Sequence, residues 1–125
     1  MSDQPVLKLK LQIYCGSEIA MGPGKADLLE AIARHGSISA AAKAMGMSYR
    51  RAWLLVDAMN RCWTRPLVEA VAGGSHERGA RVTALGEEIL GRYRAMVLAA
   101  ANQADIEFGS GLAALLQPAP RPSQH

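Results

Sequence analysis

The chain has 125 residues, half of them hydrophobic, and a formal net charge of +3. That length suits one domain with a modest core, and the slight basic excess fits a polyanionic partner without identifying one. No apolar run reaches the roughly 18 residues that a membrane span needs, and the N-terminus lacks a secretory signal pattern, so we expect a cytoplasmic protein with no membrane partner. Two cysteines, Cys15 and Cys62, are too few and too far apart for a metal motif, so we expect no metal and no cofactor.

The first predicted element is a β-hairpin over residues 6–21. Apolar and polar residues alternate from Val6 to Tyr14, and this period of two predicts a half-buried strand. Cys15-Gly16-Ser17 has the composition of a turn, and Glu18 to Met21 can supply a short return strand.

A helix is predicted next, from about Lys25 to His35, with Gly36 at its end. The stretch Gly22-Pro23-Gly24-Lys25 is only superficially similar to a phosphate-binding loop. It lacks the four-residue spacer between the glycines and the Ser or Thr after the lysine, so we do not expect a nucleotide site there.

A helix, a tight turn and a second helix are predicted between residues 37 and 63. The Ser37 hydroxyl can cap the first helix, and Gly46 can take the left-handed conformation that ends it. Ser48 can cap the second helix, which extends to about Trp63. Two helices joined in this way form a helix-turn-helix, whose second helix enters the major groove of DNA.

The second helix, residues 48–63, has two faces. Ala52, Val56, Met59 and Trp63 recur at steps of four, three and four and predict its buried stripe. Its first turn offers hydroxyls for phosphates or base edges, and arginine forks that match N7 and O6 of guanine. The candidate DNA contacts on the two helices are Ser37, Ser39, Lys43, Ser48, Tyr49, Arg50, Arg51 and Trp53. A solvated basic face of an ordinary helical domain is the alternative interpretation.

A second hairpin is predicted over residues 67–83. Pro66 prevents the preceding helix from continuing, and a glycine-rich loop joins two strand-like segments, Leu67 to Val71 and Arg81 to Thr83. A hairpin with a basic loop after a recognition helix is typical of a wing, which follows the DNA backbone or reaches into the minor groove. The further candidate DNA contacts are His76, Arg78 and Arg81. A plain surface loop is the alternative.

The last predicted helix covers residues 84–108 and would be roughly 35 Å long at 1.5 Å per residue. A second copy of the chain is the simplest partner for its apolar stripe, and folding back over its own core is the alternative. The predicted dimer-interface residues are Leu85, Ile89, Tyr93, Met96, Val97 and Ala100. Residues 109–125 are punctuated by glycine and proline and predict a flexible tail, which leaves residues 1–108 as the folded domain.

These motifs, in this order, resemble the N-terminal DNA-binding domain of the ModE family of molybdate-responsive bacterial transcriptional regulators. The likeness covers about residues 7–105 and is most specific in Ser37-Ile38-Ser39, Met47-Ser48-Tyr49 with Ala52-Trp53, Met59-Asn60, and Gly73-Gly74 followed by Thr83. A looser likeness to LysR-type winged domains covers residues 37–56 and 83–90. The resemblance implies a mainly α fold with small β-hairpins, namely a homodimeric winged helix-turn-helix with a long C-terminal dimerisation helix. The molybdate-binding domains of such regulators do not fit within 125 residues, so we expect no molybdate binding in this chain.

The resulting hypothesis is a bacterial transcriptional regulator that binds double-stranded operator DNA as a homodimer, through the recognition helix (48–63) and the wing (67–83). The alternative is a winged-helix protein-interaction module without sequence-specific DNA binding, because a fold does not fix a function. We do not expect an enzyme, since the sequence lacks paired carboxylates on one helical face, a Ser/His/Asp or Cys/His motif, and metal-ligand spacing. For the same lack of ligand spacing, we interpret Cys15, Cys62, His35 and His76 as structural or solvated residues, and metal or redox sensing through them is the alternative.

Overall fold

The computed structural model of the chain describes residues 5–72 and 79–123. In order, the elements are β1 (Ile13–Cys15), β2 (Glu18–Met21), α1 (Pro23–His35), α2 (Ile38–Ala44), α3 (Tyr49–Cys62), β3 (Val68–Val71), β4 (Gly79–Val82) and α4 (Ala84–Glu107), then a π-helical turn (Phe108–Leu112) and a last helical turn, α5 (Ala113–Leu115). Strands β1 and β2 form one antiparallel hairpin, and β3 and β4 form another. The predicted mainly α fold with two small hairpins is confirmed.

The chain divides into two compact units. Residues 10–95 form the larger unit, which contains both hairpins, helices α1 to α3 and the first half of α4. Residues 5–9 and 96–123 belong to the smaller one. The sequence predicts a domain boundary at residue 108, whereas the larger compact unit ends within α4.

The core of the 10–95 unit is apolar and draws on every helix in it. Its most completely buried large side chains are Met21, Leu28, Leu29, Ile32, Met59 and Leu67. Helix α2 contacts both α1 and α3, and its Ala41 and Ala42 are buried because small side chains let helices approach closely. On α3, Ala52, Val56 and Met59 are buried as the stripe predicts.

The helix-turn-helix has the predicted caps. The Oγ of Ser37 accepts a hydrogen bond from the backbone N–H of Ala40 at 3.0 Å, and the Oγ of Ser48 accepts one from Arg51 at 3.1 Å. Gly46 has a φ of +68°, which a residue with a side chain rarely adopts. Local sequence therefore fixes the start of both helices and the turn between them.

The first hairpin is shorter than predicted. Strand β1 begins at Ile13 rather than Val6, because its partner β2 has only four residues and pairs with three of β1. A strand without a partner has no ladder of hydrogen bonds, so the alternating pattern of residues 6–12 alone does not produce one. Helix α1 also begins two residues earlier than expected, with Pro23 in its first turn, where a missing N–H costs nothing.

The second hairpin ends in a tightly fixed corner between β4 and α4. The hydroxyl of Thr83 donates to the carbonyl of Pro66 at 2.8 Å and accepts from the N–H of Gly86 at 3.0 Å, so it caps α4. The backbone N–H of Thr83 donates to the carbonyl of Leu67 at 2.9 Å. Strand β4 begins at Gly79, two residues before the predicted strand.

Two predicted dimer contacts belong to the core of their own chain. Ile89 and Tyr93 are 8% and 3% exposed, and the hydroxyl of Tyr93 donates to the carbonyl of Leu11 at 2.8 Å. An apolar stripe that packs on its own domain has the same spacing as one that packs on a second copy, so periodicity does not separate the two. Beyond residue 108, helical structure continues to Leu115, where the sequence predicts a flexible tail.

Candidate nucleic-acid interface

A groove of about 800 Å³ lies in the 10–95 unit, between α2, α3 and the strands of the second hairpin. Five predicted DNA contacts line it together: Ser37, Ser39, Lys43, Tyr49 and Trp53. Its other lining residues are His35, Gly36, Ile38, Ala40, Val56, Asn60, Val68, Glu69, Ala70, Gly79 and Ala80. The groove therefore joins the two helix starts and the wing strands in one surface.

Strand β4 is held against the turn between α1 and α2. The N–H of Ala80 donates to the carbonyl of Gly36 at 2.9 Å, and Gly36 itself has a φ of +78°. A Cβ atom on Gly79 would lie 3.3 Å from that same carbonyl oxygen, so a glycine suits the close approach. The wing strand thus forms part of the lining of the groove.

Asn60 connects the recognition helix to the start of the wing. Its Oδ1 accepts hydrogen bonds from the N–H groups of Leu67 at 2.8 Å and Val68 at 3.1 Å, and its Nδ2 donates to the carbonyl of Val68 at 3.0 Å. The sequence motifs predict no role for this residue, although a polar side chain beside the buried stripe of α3, shortly before a strand, is a signal for such a contact.

The outward face of α3 carries large exposed side chains. Tyr49 and Trp53, one helical turn apart, are 56% and 47% exposed and line the groove. Arg50 is exposed beside them, at the head of the ridge that continues through Leu54 and Arg61. This face offers aromatic rings and a guanidinium group side by side.

Arg51 lies on the other flank of α3, away from the groove. It is close enough to Lys25 of α1 that its positive charge adds to the effect of burial, and together they lower the pKa of Lys25. Arg50 and Arg51, which the sequence treats as equivalent candidates, therefore occupy different faces of the helix.

The arginines divide into paired and unpaired side chains. Within residues 5–72 and 79–123, four of them form salt bridges with acids: Arg61 with Glu18 and Asp57, Arg81 with Glu69, Arg92 with Glu88, and Arg94 with Asp27 and Glu30. In the same part of the chain, Lys43, Arg50 and Arg51 have no acid within salt-bridge distance. The exposed cations without an acid partner thus include those at the start of α3.

One predicted DNA contact, Arg81, and a second exposed arginine, Arg61, are already neutralised within the chain. The Nε of Arg81 donates to Oε1 of Glu69 at 3.0 Å across the wing hairpin, where the two residues are register partners. Arg61 donates to both carboxylate oxygens of Glu18, at 2.6 and 2.8 Å, which raises its own pKa and lowers that of Glu18. Spacing in the sequence reveals neither pair, because the acids lie 12 and 43 residues away.

The remaining predicted wing contacts, His76 and Arg78, lie outside the described residues. In the part of the chain that is described, no group of three or more His, Cys, Asp or Glu side chains is arranged to hold a metal ion. None of the helices described is long and apolar enough to cross a membrane.

The chain is similar to known bacterial regulators. A family model described as bacterial regulatory helix-turn-helix protein, lysR family, matches residues 25–87. The molybdenum-pterin-binding protein MopA of Rhodobacter capsulatus is 39% identical over 93 residues, which is 74% of this chain and 35% of MopA. The DNA-binding transcriptional dual regulator ModE of Escherichia coli K12 is 37% identical over 93 residues, 74% of this chain and 34% of ModE. The chain thus spans about a third of the length of these curated relatives.

A solved structure has the same fold over most of the chain. The full-length LTTR LysG from Corynebacterium glutamicum, with bound effector Arg, matches with a TM-score of 0.50 and 29% sequence identity, over 72% of this chain and 29% of LysG. Together with the curated relatives, it confirms the resemblance to ModE-type and LysR-type helix-turn-helix domains.

Proposed function

Because the chain belongs to the lysR family of bacterial regulatory helix-turn-helix proteins, we propose that it regulates transcription by binding operator DNA as a homodimer. The observation that carries the proposal is the start of α3, where exposed Arg50 without an acid partner stands beside the groove lined by Lys43, Tyr49 and Trp53. A guanidinium that is not committed to a carboxylate is free to fork a guanine or a phosphate.

In this proposal the groove holds the DNA backbone and the ridge of α3 reads bases. The oxygens of Ser37 and Ser48 each accept a backbone N–H, so each hydroxyl keeps its proton to donate to a phosphate oxygen. Lys43 adds a point charge for the same backbone. Arg50, on the outward ridge, is the base reader, whereas Arg51, on the flank, contacts phosphate.

The proposed homodimer rests on the exposed apolar side chains of the second half of α4. Met96 is 43% exposed in a single chain, and Val97 and Ala100, on the same face of α4, are half-buried. Of the predicted interface, Met96, Val97 and Ala100 remain candidates, while Ile89 and Tyr93 are used inside the chain. A dimer would present two recognition helices to paired half-sites about one DNA turn apart.

Molybdenum appears in the names of several relatives, but those names describe proteins of which this chain spans about a third. We therefore propose no molybdate site in this chain. The family indicates a regulator rather than an enzyme. A module that binds another protein remains the alternative function, because exposed Tyr49 and Trp53 would also suit a protein–protein interface.

The test compares Arg50→Ala and Arg51→Ala by fluorescence anisotropy on a duplex that the wild-type protein selects from a random library. Arg50→Ala should weaken binding to that duplex by about 5- to 150-fold and relax the preference at one position, since a guanine fork is lost. Arg51→Ala should weaken binding to selected and scrambled duplexes alike, and lower the salt slope by about one.

Arg92→Ala is the matched control, because it removes the same charge from the exposed surface of α4 and touches neither groove nor ridge. It should change affinity by less than about threefold. Equal small losses for all three variants would overturn the assignment of α3 as the recognition element, and unchanged affinity in Arg50→Ala would remove Arg50 as a base reader.

A further inference from the structure

The two cysteines, 47 positions apart in sequence, are neighbours in the fold. Both are free thiols; Cys15 at the end of β1 is exposed, and Cys62 at the end of α3 is half-buried. The pKa of the Cys62 thiol is raised, first by burial and then by its interaction with the Cys15 thiol beside it.

The residues on either side of Cys62 are anchored to the first hairpin. Arg61 donates two hydrogen bonds to Glu18, which is the register partner of Cys15, at 2.6 and 2.8 Å. On the other side, Nε1 of Trp63 donates to the carbonyl of Ala20 at 3.0 Å. These three bonds hold the end of α3, which carries Cys62, against β2, whose first residue pairs with Cys15.

We propose that Cys15 and Cys62 are an oxidisable dithiol that closes to an intramolecular disulfide when the chain meets hydrogen peroxide. The exposed Cys15 thiol attacks the O–O bond, gains oxygen as a sulfenic acid and releases one water. The Cys62 thiol then attacks that sulfur, so the S–O bond breaks, the S–S bond forms and a second water leaves. Each sulfur loses one electron, and the two peroxide oxygens gain them.

The bond would lock the N-terminal hairpin to the end of the recognition helix. It closes a long loop of the chain, so it restricts the unfolded ensemble strongly. The expected result is a rise in Tm on the order of 10 °C for the oxidised chain, reversed by a dithiol reductant. Formation of this disulfide does not depend on DNA binding, so the two proposals are tested independently.

The test treats the reduced full-length protein with hydrogen peroxide, alkylates the remaining thiols and measures the intact mass. The wild type should lose both alkylatable thiols and the mass of two hydrogens while remaining a single covalent chain. Cys15→Ser and Cys62→Ser should each form no such bond. The reaction should also run at least about tenfold slower in denaturant, because unfolding removes the close approach of the two thiols.

Three results would overturn the proposal. They are stepwise addition of oxygen to Cys15 without a crosslink, a disulfide between two chains in place of one within a chain, and an equal rate of crosslinking in denaturant. The denaturant comparison uses only the wild-type chain, so it remains decisive if either serine variant folds poorly.

Discussion

Asn60 joins the recognition helix to the wing through both ends of its side-chain amide. Replacing it with alanine would leave the N–H groups of Leu67 and Val68 and one carbonyl without their partner. Because unpaired half-buried polar groups are costly, Asn60→Ala should lower the free energy of unfolding by about 2 kcal/mol, measured by urea denaturation. Asn102→Ala, at an exposed site on α4, is the control and should cost less than about 0.5 kcal/mol. A similar small cost for both would mean that water replaces the Asn60 bonds.

Tyr93 makes the stability of the larger compact unit depend on pH in the alkaline range. Burial raises the pKa of its phenol, and the neutral hydroxyl donates to the carbonyl of Leu11. The unfolded phenol loses its proton near pH 10, before the folded one does, so this stability is complete below about pH 10 and is lost as the pH rises further.

Tyr93→Phe should therefore cost about 1 kcal/mol at pH 8, where the hydrogen bond is intact. In urea unfolding at pH values above 10, the difference in free energy of unfolding between Tyr93→Phe and the wild type should become smaller. Tyr14→Phe, at a residue 58% exposed, is the control and should show no such convergence. A difference that stays constant with pH would contradict the role given to the Tyr93 hydroxyl.

At the scale of elements, Gly86 sets how closely α4 can approach the wing. A Cβ atom there would lie 2.5 Å from the carbonyl oxygen of Leu67 and 2.6 Å from Cγ1 of Val82. Gly86→Ala should therefore lower the free energy of unfolding by about 1–3 kcal/mol, because backbone must shift to relieve the contact. Gly91→Ala on the same helix has nothing within 4 Å and should instead stabilise by about 0.5–1 kcal/mol. Urea unfolding of both variants, monitored by circular dichroism, tests this prediction. If Gly86→Ala also stabilised the protein, the contact between α4 and the start of the wing would be looser than the structure shows.

The elements that sequence predicts well are those set by neighbours in the chain. Ser37 and Ser48 cap their helices, and Gly46 ends α2, because caps depend on residues within one turn. The prediction of a strand that begins at Val6 is wrong, because the length of a strand depends on the length of the strand with which it pairs, here the four-residue β2. The pairs that neutralise Arg61 and Arg81, and the contacts of Asn60, also join residues far apart in sequence, which spacing alone does not reveal.

At the scale of the whole molecule, the dimer is the first proposal to test. Sedimentation velocity should find a dimer for the wild type, and Met96→Lys should weaken it by at least about tenfold, since each copy would bury a charge. Met96 is 43% exposed in the single chain, so the substitution leaves the core of the chain intact. Asn102→Lys, at an exposed position of α4 away from the face of Met96, Val97 and Ala100, is the control and should leave the dimer unchanged. A monomeric wild type, or equal effects of both substitutions, would refute this interface.

The central claim is that the groove and the ridge of α3 bind a particular DNA sequence. The most direct measurement is the ratio of two dissociation constants, for the duplex selected by the wild-type protein and for a scrambled duplex of equal length, at two salt concentrations. We predict a preference of about a thousandfold or more for the selected duplex, and this preference should persist at the higher salt concentration. Weak and equal binding to both duplexes, lost as salt rises, would contradict it and would leave the protein-interaction alternative as the better description.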